Sequence, residues 1–155
     1  MRANTRNQRG AAALEAALVL PVLLMLVVGT METASLLRSW LAVQKASQAG
    51  ARTAATGLGE ETGDRMARIE AAAEHFLADL PGASQVAVRS WPDETMSGAA
   101  QEGDPGEPCQ AVEVEVTTTW TAATPLLAAL LPSELSLSGA DRKINEPWRP
   151  CQSSP

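Results

Sequence analysis

The sequence predicts an α+β protein: a long N-terminal membrane-spanning helix, then a second amphipathic helix and a small antiparallel β-sheet outside the membrane. Three observations carry this. From Ala11 to Met31 the run AAALEAALVLPVLLMLVVGTM holds a single charge, Glu15. Helical spacing of apolar residues continues beyond it to about Ala55. Further on, Val112, Val114 and Val116 alternate with Glu113, Glu115 and Thr117, the two-residue period of a strand with one buried and one wet face.

The apolar run is long enough to span a bilayer, since about 20 apolar helical residues cross its hydrocarbon core. Arg2, Arg6 and Arg9 precede it and Glu32 follows, so positive-inside bias puts the N-terminus in the cytoplasm and the remainder outside. A cleaved signal peptide competes with this view. Its apolar core is shorter, however, and cleavage after Ala34 would put Glu32 where a small residue belongs. The segment from Ser35 to Thr56 continues in helical register. Leu36, Leu37, Trp40 and Leu41 make an apolar stripe, while Val43, Ala46, Ala49, Gly50, Ala54 and Ala55 are short enough for another backbone to approach. Arg38, Lys45 and Arg52 recur every seven residues on one solvated face.

GLGEETG at 57–63 breaks the helix. Residues 64–80 form the second helix, with Met66, Ile69, Ala73, Phe76, Leu77 and Leu80 inward and Arg65, Arg68, Glu74 and Asp79 toward water; Pro81-Gly82 stops it. Strands are expected at 85–91, with Val86 and Val88 on one face, at 111–121, and more weakly at 135–143. Residues 92–108, rich in Gly, Pro and acids, read as a mobile surface loop. On the central strand Val112, Val114 and Val116 should face the helices and Glu113 and Glu115 water. PLLAALLP at 125–132 is best read as core packing, with a membrane-surface contact or a docking site as alternatives. Trp148 and Cys151 stand on a Pro-rich tail. The chain thus divides into a basic leader (1–10), a transmembrane helix (11–31), its extracytoplasmic continuation (32–56) and a small extracytoplasmic α+β domain (57–155).

Composition narrows the function. With four Trp, one Phe and no Tyr the core is thin, which suits a small module that leans on neighbours. Three of the twelve basic residues fall in the first ten positions, leaving nine against eighteen acids, about −9, on the remainder. That excludes a nucleic-acid partner, which needs clustered Lys and Arg. No hydrolase, P-loop, metalloprotease or dinucleotide fingerprint is present. His75 stands alone as a helix-surface residue, and Glu113 and Glu115 alternate with valines as a solvated sheet face rather than an acid–base pair. Neither a catalytic residue, a metal nor a cofactor is assigned. Cys109 and Cys151, too far apart for a CxxC motif, suggest one disulfide in an oxidising compartment, with two unpaired thiols as the alternative.

The most informative constellation is Arg9-Gly10-Ala11-Ala12-Ala13-Leu14-Glu15 running directly into the apolar segment. A carboxylate inside a membrane helix is costly without a partner and is functional by default. RGAAALEAALVLPVLLML at 9–26 and QKASQAGARTAA at 44–55 resemble the TadE-like family, pilin-like accessory proteins of the tight-adherence (Flp) pilus system. Where family members carry an aromatic or other large residue after the glutamate, this chain has Ala16. The resemblance implies a membrane-anchored pseudopilin in a bacterial cytoplasmic membrane. It implies a cut by a prepilin peptidase between Gly10 and Ala11. Glu15 would then be the fifth residue of the mature chain and assist assembly with other pilin-like subunits and pilus assembly proteins. Two further hypotheses stand beside it: a single-pass anchored extracytoplasmic binding protein with Glu15 incidental, and a secreted enzyme or inhibitor.

Overall fold

A run dominated by Ala, Leu, Met and Val, followed by a second alanine-rich stretch, favours the helix for some fifty residues in spite of Pro21 and Gly29. In the computed structural model, which describes residues 5–129 and 132–151, this is one helix, α1, Thr5–Ala55. It is about 75 Å long at 1.5 Å per residue. It starts inside the basic leader, passes through Pro21 and is unbroken at Arg38. After it come α2 (Arg65–Glu74), β1 (Ser84–Trp91), β2 (Gln101–Glu102), β3 (Ala111–Trp120), the short α3 (Pro125–Ala128) and β4 (Leu135–Ile144). The strands form one antiparallel sheet in the order β2-β1-β3-β4.

The core lies between the outer half of α1, α2 and one face of the sheet. Val43, Ala46, Ala51 and Ala54 of α1 meet Ile69, Ala73 and Leu77, and Val88, Val112, Val114 and Val116 close the cluster. Small residues set the spacing. A Cβ on Gly50 would stand 2.8 Å from a Val114 methyl, so β3 lies closer to α1 there than an alanine permits. Arg38, Lys45 and Arg52 remain exposed on the other side.

Sheet and helix run alongside each other in a readable register. At the outer end of α1 the Glu146 N–H donates to Ala55 C=O at 2.8 Å. Gly50 meets Val114, Val43 and Gln44 meet Gly139, and the Trp120 indole N–H donates to Ser35 Oγ at 3.3 Å. From Ser35 to Gly50 is about 22 Å of helix rise, and from Trp120 to Val114 about 20 Å of strand. β3 therefore runs nearly antiparallel to α1, back toward its apolar half.

Several expectations are corrected. α2 is shorter than the expected 64–80 and gives way to turns after Glu74, which takes Phe76 out of the helical phase and leaves it 40% exposed. Arg65, expected in water, is buried. Its guanidinium donates to Gly106 C=O at 2.6 Å and Ala54 C=O at 2.8 Å, pairs with Glu60 at 3.1 Å, and lies 4.5 Å from the centre of the Trp148 ring. Burial pushes the Arg65 pKa down, with Glu60 opposing. The loop after β1 contains β2, which pairs Arg89 with Glu102 and Ser90 with Gln101.

The valines of β3 face the helices as expected, but Glu113 is only 3% exposed. On the outer face Arg89 of β1 and Arg142 of β4 flank it in register, and both guanidinium groups close over its carboxylate. A central strand between two arginine-bearing neighbours has no wet face at that position. Of PLLAALLP, read as core packing, the described Pro125, Ala128 and Ala129 are exposed and follow the last pair of β3 with β4, Trp120 with Leu135. Leu130 and Leu131 lie outside the described residues.

Candidate membrane-anchoring and assembly surface

The first half of α1 presents large apolar side chains on every side. Leu14, Leu18, Leu20, Leu24, Leu26 and Met31 are all more than half exposed. The helix is long and apolar enough to cross a membrane, and none of its apolar window is covered by the rest of the protein. In water such a surface would be strongly unfavourable, at about 25 cal/mol per Å².

Gly10, Ala11 and Glu15 all lie on this uncovered part of α1 and are exposed. Ala11 and Glu15 are four residues apart and share a helix face, about 6 Å apart along the axis. Among the described residues Glu15 makes no hydrogen bond or ion pair within the chain. Arg2 of the leader lies outside the described residues, and Arg6 and Arg9 belong to the first turns of α1.

At the end of the apolar run the chain is tied back to itself. Glu32 is buried, and its carboxylate accepts the Thr124 N–H at 2.7 Å and the Ala123 N–H at 3.3 Å. Burial opposes the charge, but hydrogen bonding from Thr124 and Ala123 outweighs it and holds the carboxyl below its ordinary range. The sequence reading gave Glu32 no structural role, noting it as the charge after the span and as a residue that does not suit a cleavage site. Its signal was phase: Glu32, Ser39, Val43, Ala46, Gly50 and Ala54 form one small, buried face of α1.

Just beyond it the expected apolar stripe divides. Leu36 is half-buried, whereas Leu37, Trp40 and Leu41 remain exposed. With Phe76 and Leu80, Leu37 and Leu41 line a shallow groove of about 530 Å³ between α1 and the end of α2. Arg38 and Asp79 stand 3.8 Å apart at its rim.

At the far end of the domain Cys109 and Cys151 are joined in a disulfide, with Cα atoms 5.7 Å apart. The bridge, the Trp148–Arg65 stack and an Arg149–Glu60 pair at 3.0 Å hold the tail against the start of β3 and the turn after α1. Among the described residues no group of three or more His, Cys, Asp and Glu converges as a metal site would require.

No curated protein and no solved structure matches the chain. A family model described as TadE-like protein matches residues 10–52. The match begins at Gly10, crosses Glu15 and the whole uncovered apolar segment, and ends on the half of α1 that packs against the sheet, so that the TadE-like model is matched by α1 from its apolar start to three residues before its end.

Proposed function

We propose that this chain is a single-pass protein of a bacterial cytoplasmic membrane, with its N-terminus cytoplasmic and α2 and the sheet outside. It acts as a pilin-like component in the assembly of a tight-adherence type pilus, in a structural rather than a catalytic role. The observation that carries this reading is the family match over residues 10–52, laid on an apolar helix with a lone carboxylate near its start. Three arginines before the span keep the leader inside. A prepilin peptidase cut after Gly10 would free an amine at Ala11, and a neighbouring subunit would present that charge to Glu15. Pairing between subunits offsets the desolvation that Glu15 suffers alone.

The test is the mature N-terminus of the protein from its native membrane, read by mass spectrometry. A start at Ala11 is the expected result. An intact Met1 favours an anchored binding protein unrelated to pili, and a start at Ser35 a secreted one. Deletion of the coding sequence should abolish pilus-dependent adherence under the proposed function and leave it untouched under the other two.

A further inference from the structure

We propose that copies of this chain associate side by side through two charged flanks of the folded domain, Lys45 and Arg52 of one copy meeting Glu74 and Glu70 of the next. The inference rests on the membrane placement and pilin-like role proposed above, and it names a second copy as the partner.

The basic flank stands out by its lack of partners. Nine Lys and Arg lie beyond the leader, and seven of them pair with a carboxylate of the same chain. Lys45 and Arg52 are exposed and make no such pair among the described residues. They share the face of α1 turned away from the core, and with Lys143 of β4 they line one depression. Asp141, also there, is already paired with Lys143 at 3.4 Å. In a chain that is strongly acidic beyond its leader, two unpaired cations on one face call for an anionic neighbour.

The chain itself supplies one. Glu70 and Glu74 are exposed one turn apart on α2 and make no ion pair among the described residues. Like charges at that spacing repel, so cations brought against them are stabilising. Both line a depression with Ser84 and Val86 of β1. α1 instead lies over β3 and β4, with Gly50 against Val114 and Val43 against Gly139. Since β1 and β4 lie on either side of β3, the acidic and basic surfaces occupy opposite flanks of the domain.

Height makes the two flanks match. α2 runs antiparallel to α1: Arg65 at its start bonds Ala54 C=O, a Cβ on Gly50 would stand 3.6 Å from that of Ala73, and Phe76 and Leu80 share a groove with Leu37 and Leu41. Glu70 therefore stands near the level of Arg52, and Glu74 toward that of Lys45. Every copy is set at one depth by the same apolar segment, so neighbouring copies present these pairs to each other without sliding. Lipid is not the occupant, because Lys45 lies about 21 Å of helix rise past Met31, beyond a headgroup layer of roughly 5–8 Å. A contact between two different flanks is heterologous, so each copy bound leaves a flank open for the next.

The test is zero-length carbodiimide cross-linking of the full chain in phosphatidylcholine vesicles. The reagent joins an amine directly to a carboxylate, and Lys45 and Lys143 are the two lysines of the chain. Nitrogen-15 copies are mixed with unlabelled ones, so that mass spectrometry separates links between copies from links within one. The expected result is a Lys45–Glu74 link carrying both isotopes, in a ladder that runs past the dimer. Arg52→Glu and Glu70→Arg keep the reporter pair but set like charges together, and each variant alone should lose the link by roughly tenfold. The two variants mixed should restore it, which misfolded chains could not do. Absence of the mixed-isotope link in the parent chain, a link undiminished in both variants, or a mixture no better than either variant overturns the inference. In native membranes, a link from Lys45 to a different protein in place of Glu74 also overturns it and assigns the basic flank to another subunit. None of these results alters the mature N-terminus, so the proposed role is tested separately.

Discussion

Arg89 and Glu113 face each other in the β1–β3 register, with Nη1 2.9 Å from Oε1, on the face of the sheet away from α1. The same arginine reaches Glu102 on β2 and Glu115 further along β3, and Glu113 is also held by Arg142. Hydrogen bonding by Glu115 raises the Arg89 pKa, against a smaller effect of burial. One guanidinium thus joins three strands, in a sheet whose edge strand is only two residues long. Arg89→Met should lower the stability of the detergent-solubilised chain by about 1–2 kcal/mol, as several cross-strand pairs are lost while Glu113 retains Arg142. Arg142→Met, whose side chain is mostly exposed, should cost less. Urea unfolding of both variants checks the order. Unchanged stability in Arg89→Met would mean the cluster is ornamental.

The tether at Glu32 predicts a pH dependence of definite sign. The folded carboxyl is held below its ordinary range, so the folded state favours the charged form. The tether is fully in place above the ordinary carboxylate range. It is lost as pH falls through the lowered folded value. Hydrogen exchange at Ala123 and Thr124 should accelerate severalfold in that acid window relative to the β3 amides, after correction for intrinsic rates. Glu32→Gln should show the faster exchange already at neutral pH and flatten the acid dependence. Identical protection in the variant at neutral pH would show that backbone contacts elsewhere hold this connection.

At the opposite end of the domain, Trp148 packs between Arg65 and the turn that ends α1. Gly57 has φ +67°, and a Cβ there would come within 2.3 Å of the indole. Gly57→Ala is therefore strained twice, by its backbone and by the ring, and should cost about 2 kcal/mol or more. Replacing both Cys109 and Cys151 with serine releases a 42-residue separation and should cost up to about 4 kcal/mol in the chain-entropy view. Both changes free the same tail, so the combined variant should lose less than the sum. Thermal unfolding of the three variants measures this directly, and strict additivity would show that tail and turn are independent.

The parts of this fold legible in the sequence are those set by short-range periodicity. The apolar run declares its helix, and the small-residue face of α1 and the Val/Glu alternation of β3 declare both their element and its inward face. What was misread depends on partners distant in sequence. Glu113 looks wet until Arg89 and Arg142 are placed on either side of it, 24 and 29 residues away. Arg65 looks like a surface residue of a short helix until the 105–106 carbonyls and Trp148, some 40 residues or more further on, fold over it. Glu15 is a different case. Its pattern was legible from sequence, and among the described residues its carboxylate meets no partner.

Glu15 therefore gives the sharpest test of the proposed role. It is exposed on the uncovered part of α1, one turn from Ala11, with no partner among the described residues. In an isolated chain a carboxylate near the edge of a membrane helix is a burden, and Glu15→Gln should insert at least as well as the parent, since the apolar run is untouched. Assembly should respond in the opposite direction. Losing a charge-assisted contact of about 1.5–3 kcal/mol between subunits corresponds to a roughly ten- to hundredfold weaker association. Gly10→Leu should act earlier, at processing, leaving a full-length chain in the membrane that retains its leader. Cells carrying each variant are compared for pilus-dependent adherence, with membrane-fraction blots to report level and size. The expected outcome is normal level and mature size but poor adherence for Glu15→Gln, and normal level, unprocessed size and poor adherence for Gly10→Leu. A Glu15→Gln chain that is made, inserted and fully adherent would strip the carboxylate of any assembly role and leave α1 as an anchor alone.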